Sequence, residues 1–286
     1  MKATKVININ GEIFNEENAK ISVFDRGFLF GDSVYEVTDT NNGKPLFMDE
    51  HLDRLWRSAN KIDMPIAFTK SKIIAEVQRT LSHLKVKRAY IRIVVTRGEG
   101  EITLDPQAAH ENNLVIIAKE LNENPSWWYD DGVEVIIADI KRTSSESMDP
   151  AVKSGNYLNN ILAFNEAVKQ GAFDAVMLNH DGFITEGTTS NIWIIKDGVI
   201  ITPPLKAGLL GGITRAKILE LAQREKLSFK EENIRATDLK AADEVFLTSS
   251  TKRVVPIVKV DDQQIGSGKP GKKTQELLKK YLSSLN

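Results

Sequence analysis

The apolar residues of this chain do not keep one period, and the switching between periods is what most limits its fold. In VININGEIF, residues 6–14, apolar and polar positions alternate around Asn10-Gly11, which predicts a β-hairpin with a tight turn. A second strand pair, Ser33–Asp39 and Pro45–Phe47, flanks NNGK. After Met48 the spacing turns helical, with Leu52, Leu55, Trp56, Ala59 and Ile62 on one face, and a second helix is expected from about Thr69 to His83. Strands return at 88–96 and 113–119, so the first part of the chain reads as mixed α+β.

From 120 to 132 the chain is polar, carries Pro125 and keeps no period. A domain junction is expected there. The 286 residues then divide into a smaller α+β domain at 1–119, a linker at 120–132 and a larger mixed α/β domain at 133–286. In the larger domain, strands are expected at 133–140, 174–178, 191–196, 244–248 and 255–260. Helices are expected at about 159–170, 214–226 and 271–282.

The 38 basic residues nearly match the 39 acidic ones, for a net charge of −1. That balance gives no electrostatic case for nucleic acid or an anionic membrane. Apolar runs stop near five residues, as in Leu114–Ala118, whereas a spanning helix needs about 20. Asn8 and Asn10 interrupt the N-terminal apolar stretch before it reaches the length of a signal-peptide core, so a cytoplasmic location is expected. There are no cysteines, and the four histidines, His51, His83, His110 and His180, have no metal-ligand spacing. No metal is expected. Chemistry must come from oxygen, amine and guanidinium groups, or from a cofactor.

Several short segments carry candidate chemistry. Residues 266–273, GSGKPGKK, fit the G-x-x-x-x-G-K spacing of a phosphate loop, but Lys273 stands where a Ser or Thr belongs and Pro270 removes a donor; a solvated turn is expected. Gly98-Glu-Gly100 is too little for a dinucleotide fingerprint. At 209–215, LLGGITR leads two glycines into an amphipathic helix, which suits either an ordinary capped helix or an anion site. Hydroxyls cluster at Thr248, Ser249, Ser250 and Thr251, and Glu186 stands among small hydroxyl residues in TEGTTSN. Lys153, in AVKSGNYLNNILA, precedes an apolar helix. An amine at a partly buried strand end can form a Schiff base, though most lysines are solvated.

Taken in order, RGFLFGDSVYE (26–36), HLDRL (51–55), VKSGNYLNNILA (152–163), TEGTTSNIW (185–193), GGITR (211–215) and VFLTSSTKRVVPI (245–257) resemble the class IV, fold-type IV pyridoxal-phosphate (PLP) aminotransferases. That group includes branched-chain and D-amino-acid aminotransferases and aminodeoxychorismate lyase. The resemblance spans about residues 5–284 and implies a two-domain enzyme of D-amino-acid-aminotransferase-like fold, active as a homodimer on an amino acid and a 2-oxo acid.

Residue by residue, the resemblance implies that Lys153 holds PLP covalently and moves the substrate proton. Glu186 pairs with the pyridinium nitrogen, keeping the ring an electron sink. Arg54 binds the phosphate as a charge-assisted donor, with Ile213 and Thr214 at a helix N-terminus and the hydroxyls of Ser250 and Thr251. Tyr157 lies near the 3′-oxygen, as in the branched-chain group. Tyr35 lines the substrate pocket, and Arg97 in VVTRG matches the arginine that binds the α-carboxylate from the neighbouring subunit in the D-amino-acid group.

The subfamily marks are mixed. Lys-Ser-Gly-Asn-Tyr at 153–157 half-matches the Gly-Gly-Asn-Tyr that follows the lysine in the branched-chain group, and Thr-Ser-Asn at 189–191 resembles the D-amino-acid type. Tyr157 is a branched-chain mark, and the acidic GEGE following Arg97 departs from the D-amino-acid pattern. A branched-chain L-amino acid with 2-oxoglutarate is the favoured substrate pair. D-amino-acid transamination and a carbon–carbon lyase are the alternatives.

Overall fold

The computed structural model describes residues 4–285. By its internal contacts the chain forms two compact units, Met1–Glu123 with Val152–Asn156, and Asn124–Ala151 with Tyr157–Asn286. The first unit therefore holds a five-residue segment, containing Lys153, that the chain supplies from between two stretches of the second.

The first unit contains β1 (Lys5–Ile9), β2 (Glu12–Phe14), α1 (Arg26–Phe30), β3 (Ser33–Asn41), β4 (Lys44–Pro45), α2 (Met48–Asn60), α3 (Lys70–Leu84), β5 (Ala89–Thr96) and β6 (Asn113–Glu120). Its strands pair antiparallel in the order β2-β1-β6-β5-β3-β4. The period-two pattern explains its two faces. Val34 on β3 and Ile91, Ile93 and Val95 on β5 join Leu52, Leu55 and Ala59 of α2 and Ile73 and Val77 of α3 in one buried cluster. Tyr35 and Arg92 fall on the opposite parity. Both turns expected at Asn-Gly form, with Asn10, Gly11, Asn42 and Gly43 all at positive φ.

In RGFLFG the pattern gave no helix, yet α1 forms there. Asp25 accepts a hydrogen bond from Gly27 N at 2.7 Å, and Gly31 ends the helix at φ 69°. A one-turn helix set by its caps leaves no periodic signal.

The second unit contains α4 (Trp127–Asp130), β7 (Val133–Ile137), α5 (Leu158–Lys169), β8 (Asp174–Leu178), β9 (Ile184–Gly187), β10 (Asn191–Lys196), β11 (Val199–Thr202), α6 (Ile213–Arg224), β12 (Phe229–Glu231), α7 (Ala236–Lys240), β13 (Glu244–Ser249), β14 (Arg253–Val260), β15 (Gln263–Gln264) and α8 (Lys272–Ser283). The sheet order is β12-β11-β10-β13-β14-β7-β8-β9, and the pair Asn191–Glu186 joins β10 back to β9. The strands β10-β13-β14-β7-β8-β9 thus form a closed ring. Alternate residues Val133 and Val135, Ile192 and Ile194, Val245 and Leu247, and Val255 and Ile257 share its main core cluster. On the other side of β7 and β8, Ala163 and Ala167 of α5 pack against Ile136, Ala138, Ala175 and Met177.

Residues 124–132 belong to this unit's packing. Asn124 donates to Tyr129 Oη and to the carbonyl of Thr251, and Trp128 packs edge-on against Phe173. No helix among the described residues is long and apolar enough to cross a membrane.

Candidate active site

Lys153 sits beside the start of β3. Its backbone N–H donates to Ser58 Oγ on α2 at 3.1 Å, and its carbonyl accepts from Tyr35 N at 2.9 Å. These two bonds fix the peptide while the side chain extends to Tyr35, with Nζ 3.3 Å from the phenol oxygen and 4.4 Å from the ring centroid. Tyr35 is buried, and Arg92 lies 3.8 Å from the same ring centroid. Tyr35 is thus contacted by both Lys153 and Arg92, and it restricts where the Lys153 amine can be. Arg92 breaks the apolar run AYIRIVVT at a position facing away from the helices.

Arg54 projects from α2 toward β3. Its Nε and Nη2 donate to the two oxygens of Glu36, each at 2.7 Å, and His51 Nδ1 donates to Glu36 Oε2 at 2.7 Å. Glu36 is fully buried on the apolar, helix-facing parity of β3. Burial alone would push its carboxyl up, but Arg54 and His51 together outweigh burial and hold it at about 2. Burial pushes the His51 imidazole down; Glu36 opposes this, while the charges of Arg54 and Lys153 reinforce it. Glu36 is ionised and can only accept, so the His51 proton belongs on Nδ1.

Arg97 occupies a different network of this unit. Its Nε donates to Asp32 at 2.7 Å, and its Nη1 and Nη2 donate to the carbonyls of Asp63 and Ile62 at 2.9 Å each. Asp32 also receives Arg26 Nε at 3.0 Å. Arg97 is therefore braced within its own unit.

In the second unit Glu186, on β9, is buried. Arg142 Nε donates to Oε1 at 2.8 Å, and the backbone N–H of Leu210 donates to Oε2 at 3.1 Å. Arg142 is itself buried and reaches Asn159 Oδ1 at 3.1 Å. Arg142 was missed from sequence, because in KRTSSES it reads as one more solvated charge. Beside Glu186 in register, Asn191 donates to the carbonyl of Leu210 at 2.9 Å. Leu210 is thereby pinned through both backbone groups, and the loop it belongs to delivers the chain to Gly212, Ile213 and Thr214.

Gly212 is the N-cap of α6, and no side chain caps this helix. A Cβ at Gly212 would lie 2.0 Å from Asn191 Oδ1, so the close approach requires glycine. The N-terminus of α8 differs. There the Glu244 carboxylate accepts from Lys273 N at 3.1 Å and from Thr274 N and Oγ1 at 2.8 Å each. A carboxylate of the chain itself fills the anion position after GSGKPGKK, which agrees with reading that segment as a turn. The α6 terminus keeps the arrangement that suits an external anion.

Asn191 is paired with Thr248 on β13 as well as with Glu186. The β13–β14 turn, with Ser250 and Thr251 half-buried, therefore starts on the strand next to the Glu186 strand pair. Lys252 does not extend into solvent: it donates to Thr189 at 3.2 Å and covers the Phe173 ring. Tyr157 is the N-cap of α5, and its carbonyl accepts from Ile161 N at 2.9 Å.

The residues fit PLP chemically. The aldehyde needs an amine, the phosphate needs cationic and backbone donors, and the ring nitrogen needs a carboxylate kept ionised. In the first unit Lys153 is such an amine and Arg54 such a cation; in the second, the α6 terminus offers backbone donors and Glu186, paired with Arg142, a carboxylate.

The model of amino-transferase class IV matches residues 33–260. A protein of Methanocaldococcus jannaschii, provisionally named a branched-chain-amino-acid aminotransferase, is 38% identical over 275 residues, covering 96% of this chain and 94% of its own. D-alanine aminotransferase of Staphylococcus epidermidis is 36% identical over 285 residues, 98% and 99% of the two chains. Among solved structures, the branched-chain amino acid aminotransferase of Escherichia coli superposes with a TM-score of 0.93 at 27% identity, covering 98% of this chain and 94% of that one. A branched-chain amino acid aminotransferase of Thermoproteus uzoniensis with norvaline gives a TM-score of 0.90 at 28% identity, covering 98% and 94%. The chain belongs to the class IV aminotransferases.

Proposed function

We propose that this protein is a PLP-dependent aminotransferase that moves the amino group of a branched-chain L-amino acid to 2-oxoglutarate. The observation that carries the reading is the Lys153 amine held 3.3 Å from the buried Tyr35 phenol, on a backbone tied to both β3 and α2. The branched-chain names of the solved relatives and of the Methanocaldococcus protein support the substrate class. The D-alanine aminotransferase relatives favour a second reading, D-amino-acid transamination.

Lys153, Arg54, Tyr157, Glu186, Ile213, Thr214, Ser250 and Thr251 are the residues that would hold the cofactor. Bound there, PLP supplies an electron sink for the pair left when the substrate Cα–H bond breaks. Lys153 Nζ removes that proton, and the Tyr35 hydroxyl orients Nζ for the transfer. Glu186 holds a proton at the ring nitrogen. Arg142 keeps Glu186 oriented, since leaving that buried carboxylate unpaired would be costly. For the substrate's carboxylates, Arg92 takes the place that sequence assigned to Arg97. The three Arg97 hydrogen bonds within its own unit and the stacking of Arg92 on Tyr35 support this exchange. A homodimer is proposed as the working form. Leu158, Ile161, Leu162, Phe164 and Val168 are exposed along α5, an apolar row of the kind that marks an association surface.

The deciding test is a half-reaction screen. L-Leucine, L-valine, L-glutamate, D-alanine and D-glutamate are each added to the PLP-loaded protein while its visible absorbance is followed. Conversion by L-leucine and L-valine is expected; conversion by D-alanine alone would transfer the assignment to the D-amino-acid reading.

A further inference from the structure

Glu36 is out of place by ordinary packing rules. It stands on the helix-facing parity of β3, between Val34 and Thr38, in register with Ile93 of β5. A carboxylate on that face gives up its hydration, and replacing a buried ion pair by apolar residues of similar size is often neutral or stabilising. Stability alone is thus a weak reason for the Glu36–Arg54 pair.

Its geometry suggests what the pair does. The Nε–Nη2 edge of the guanidinium meets both carboxylate oxygens at 2.7 Å, a two-point contact that fixes the plane of the group and the direction of its opposite edge. The carboxylate is fixed in turn, because Oε2 also accepts His51 Nδ1 at 2.7 Å. His51 is wholly buried, and its Nε2 has no hydrogen-bond partner. Protonating Nε2 would add an unpaired buried donor and a charge beside Arg54. His51 therefore stays a neutral donor and does not compete with Arg54 for Glu36 as a cation.

We infer that Glu36, steadied by His51, is a positioning residue that presets the Arg54 guanidinium for the cofactor phosphate; the inference rests on the reading of Arg54 as the phosphate-binding arginine. A prefixed donor loses less freedom when the anion arrives, which is how preorganisation raises affinity. A tether between β3 and α2 could have the same contacts, so the test must separate phosphate from the rest of the cofactor.

Pyridoxal, which lacks the phosphate but offers the same aldehyde to Lys153, provides that separation. The full chain, stripped of cofactor by dialysis, is titrated with PLP and with pyridoxal for the parent, Glu36→Gln, Glu36→Asp and Arg54→Gln. For Glu36→Gln, PLP binding should weaken by about tenfold or more while pyridoxal binding stays within about twofold. A folded Glu36→Gln protein with parental PLP affinity overturns the inference. Equal losses for both ligands also overturn it, because they indicate a tether. If Glu36→Gln does not fold, Glu36→Asp keeps the charge and draws it back by one methylene. It should show the same selective loss, and parental PLP affinity there overturns the inference. Parental PLP affinity in Arg54→Gln contradicts instead the phosphate role of Arg54.

Discussion

At the residue scale the proposed chemistry rests on two sets of side chains: Lys153 and Glu186, and then Glu36, His51, Arg92 and Arg142. The first two lie in motifs whose order resembles a known family. The others gain their meaning from burial and pairing, which a charged letter in a strand or loop does not reveal. Glu36 offered one usable signal, a carboxylate at an inward position of an alternating strand. The cluster also predicts acid behaviour. The Glu36 carboxyl lies at about 2 instead of 4.5, so as pH falls the unfolded chain takes up its proton first. Its stabilisation is complete above about 4.5 and is lost toward 2, an effect on the order of 3 kcal/mol. His51, depressed below 6.5, adds an earlier loss, since unfolding releases a histidine that protonates as pH drops through 6.5. Denaturant midpoints measured from pH 7 to 3 should fall with this profile in the parent. In Glu36→Gln the part below about 4.5 should flatten, and an unchanged slope there would remove Glu36 as its source. For the proposed ring partner, Glu186→Gln should retain PLP and lose most of its turnover, because a neutral amide does not hold the ring nitrogen protonated. Near-parental kcat at saturating substrate would contradict that role. Arg92→Gln should raise KM for 2-oxoglutarate by about tenfold or more, and Arg97→Gln should act chiefly on stability. The opposite pattern would return the carboxylate role to Arg97.

At the scale of elements, period and turn chemistry located the long helices and the hairpins to within a residue or two. They failed for short pieces. The helix α1 is set by its caps, and β9 lay hidden in a hydroxyl-rich segment because its four residues, all buried, carry no alternation of apolar and polar positions. The two glycine-led helix N-termini show how similar sequences diverge. That of α8 is filled by Glu244, and that of α6 is uncapped beside the pinned Leu210. Glu244→Ala should therefore cost about 1–2 kcal/mol of stability, the usual range for a lost cap, and leave PLP affinity unchanged. Gly212→Ala should weaken PLP binding, because the new Cβ would displace the loop from Asn191. Thermal unfolding and PLP titration of both variants check the contrast, and a cofactor effect confined to Glu244→Ala would reverse the assignment of the two termini.

At the scale of the whole molecule, the mixed α/β class was readable because periods of two and 3.6 alternate throughout. The return of Val152–Asn156 to the first unit was not, since nothing in those five residues announces which sheet they join. That return places Lys153 against β3 and α2, and the proposed chemistry depends on it. The most direct measurement is therefore to load the protein with PLP, reduce it with borohydride and map the modified peptide by mass spectrometry. The reduced cofactor is expected on Lys153, with no stable adduct in Lys153→Ala. A cofactor attached to any other lysine would contradict the assignment.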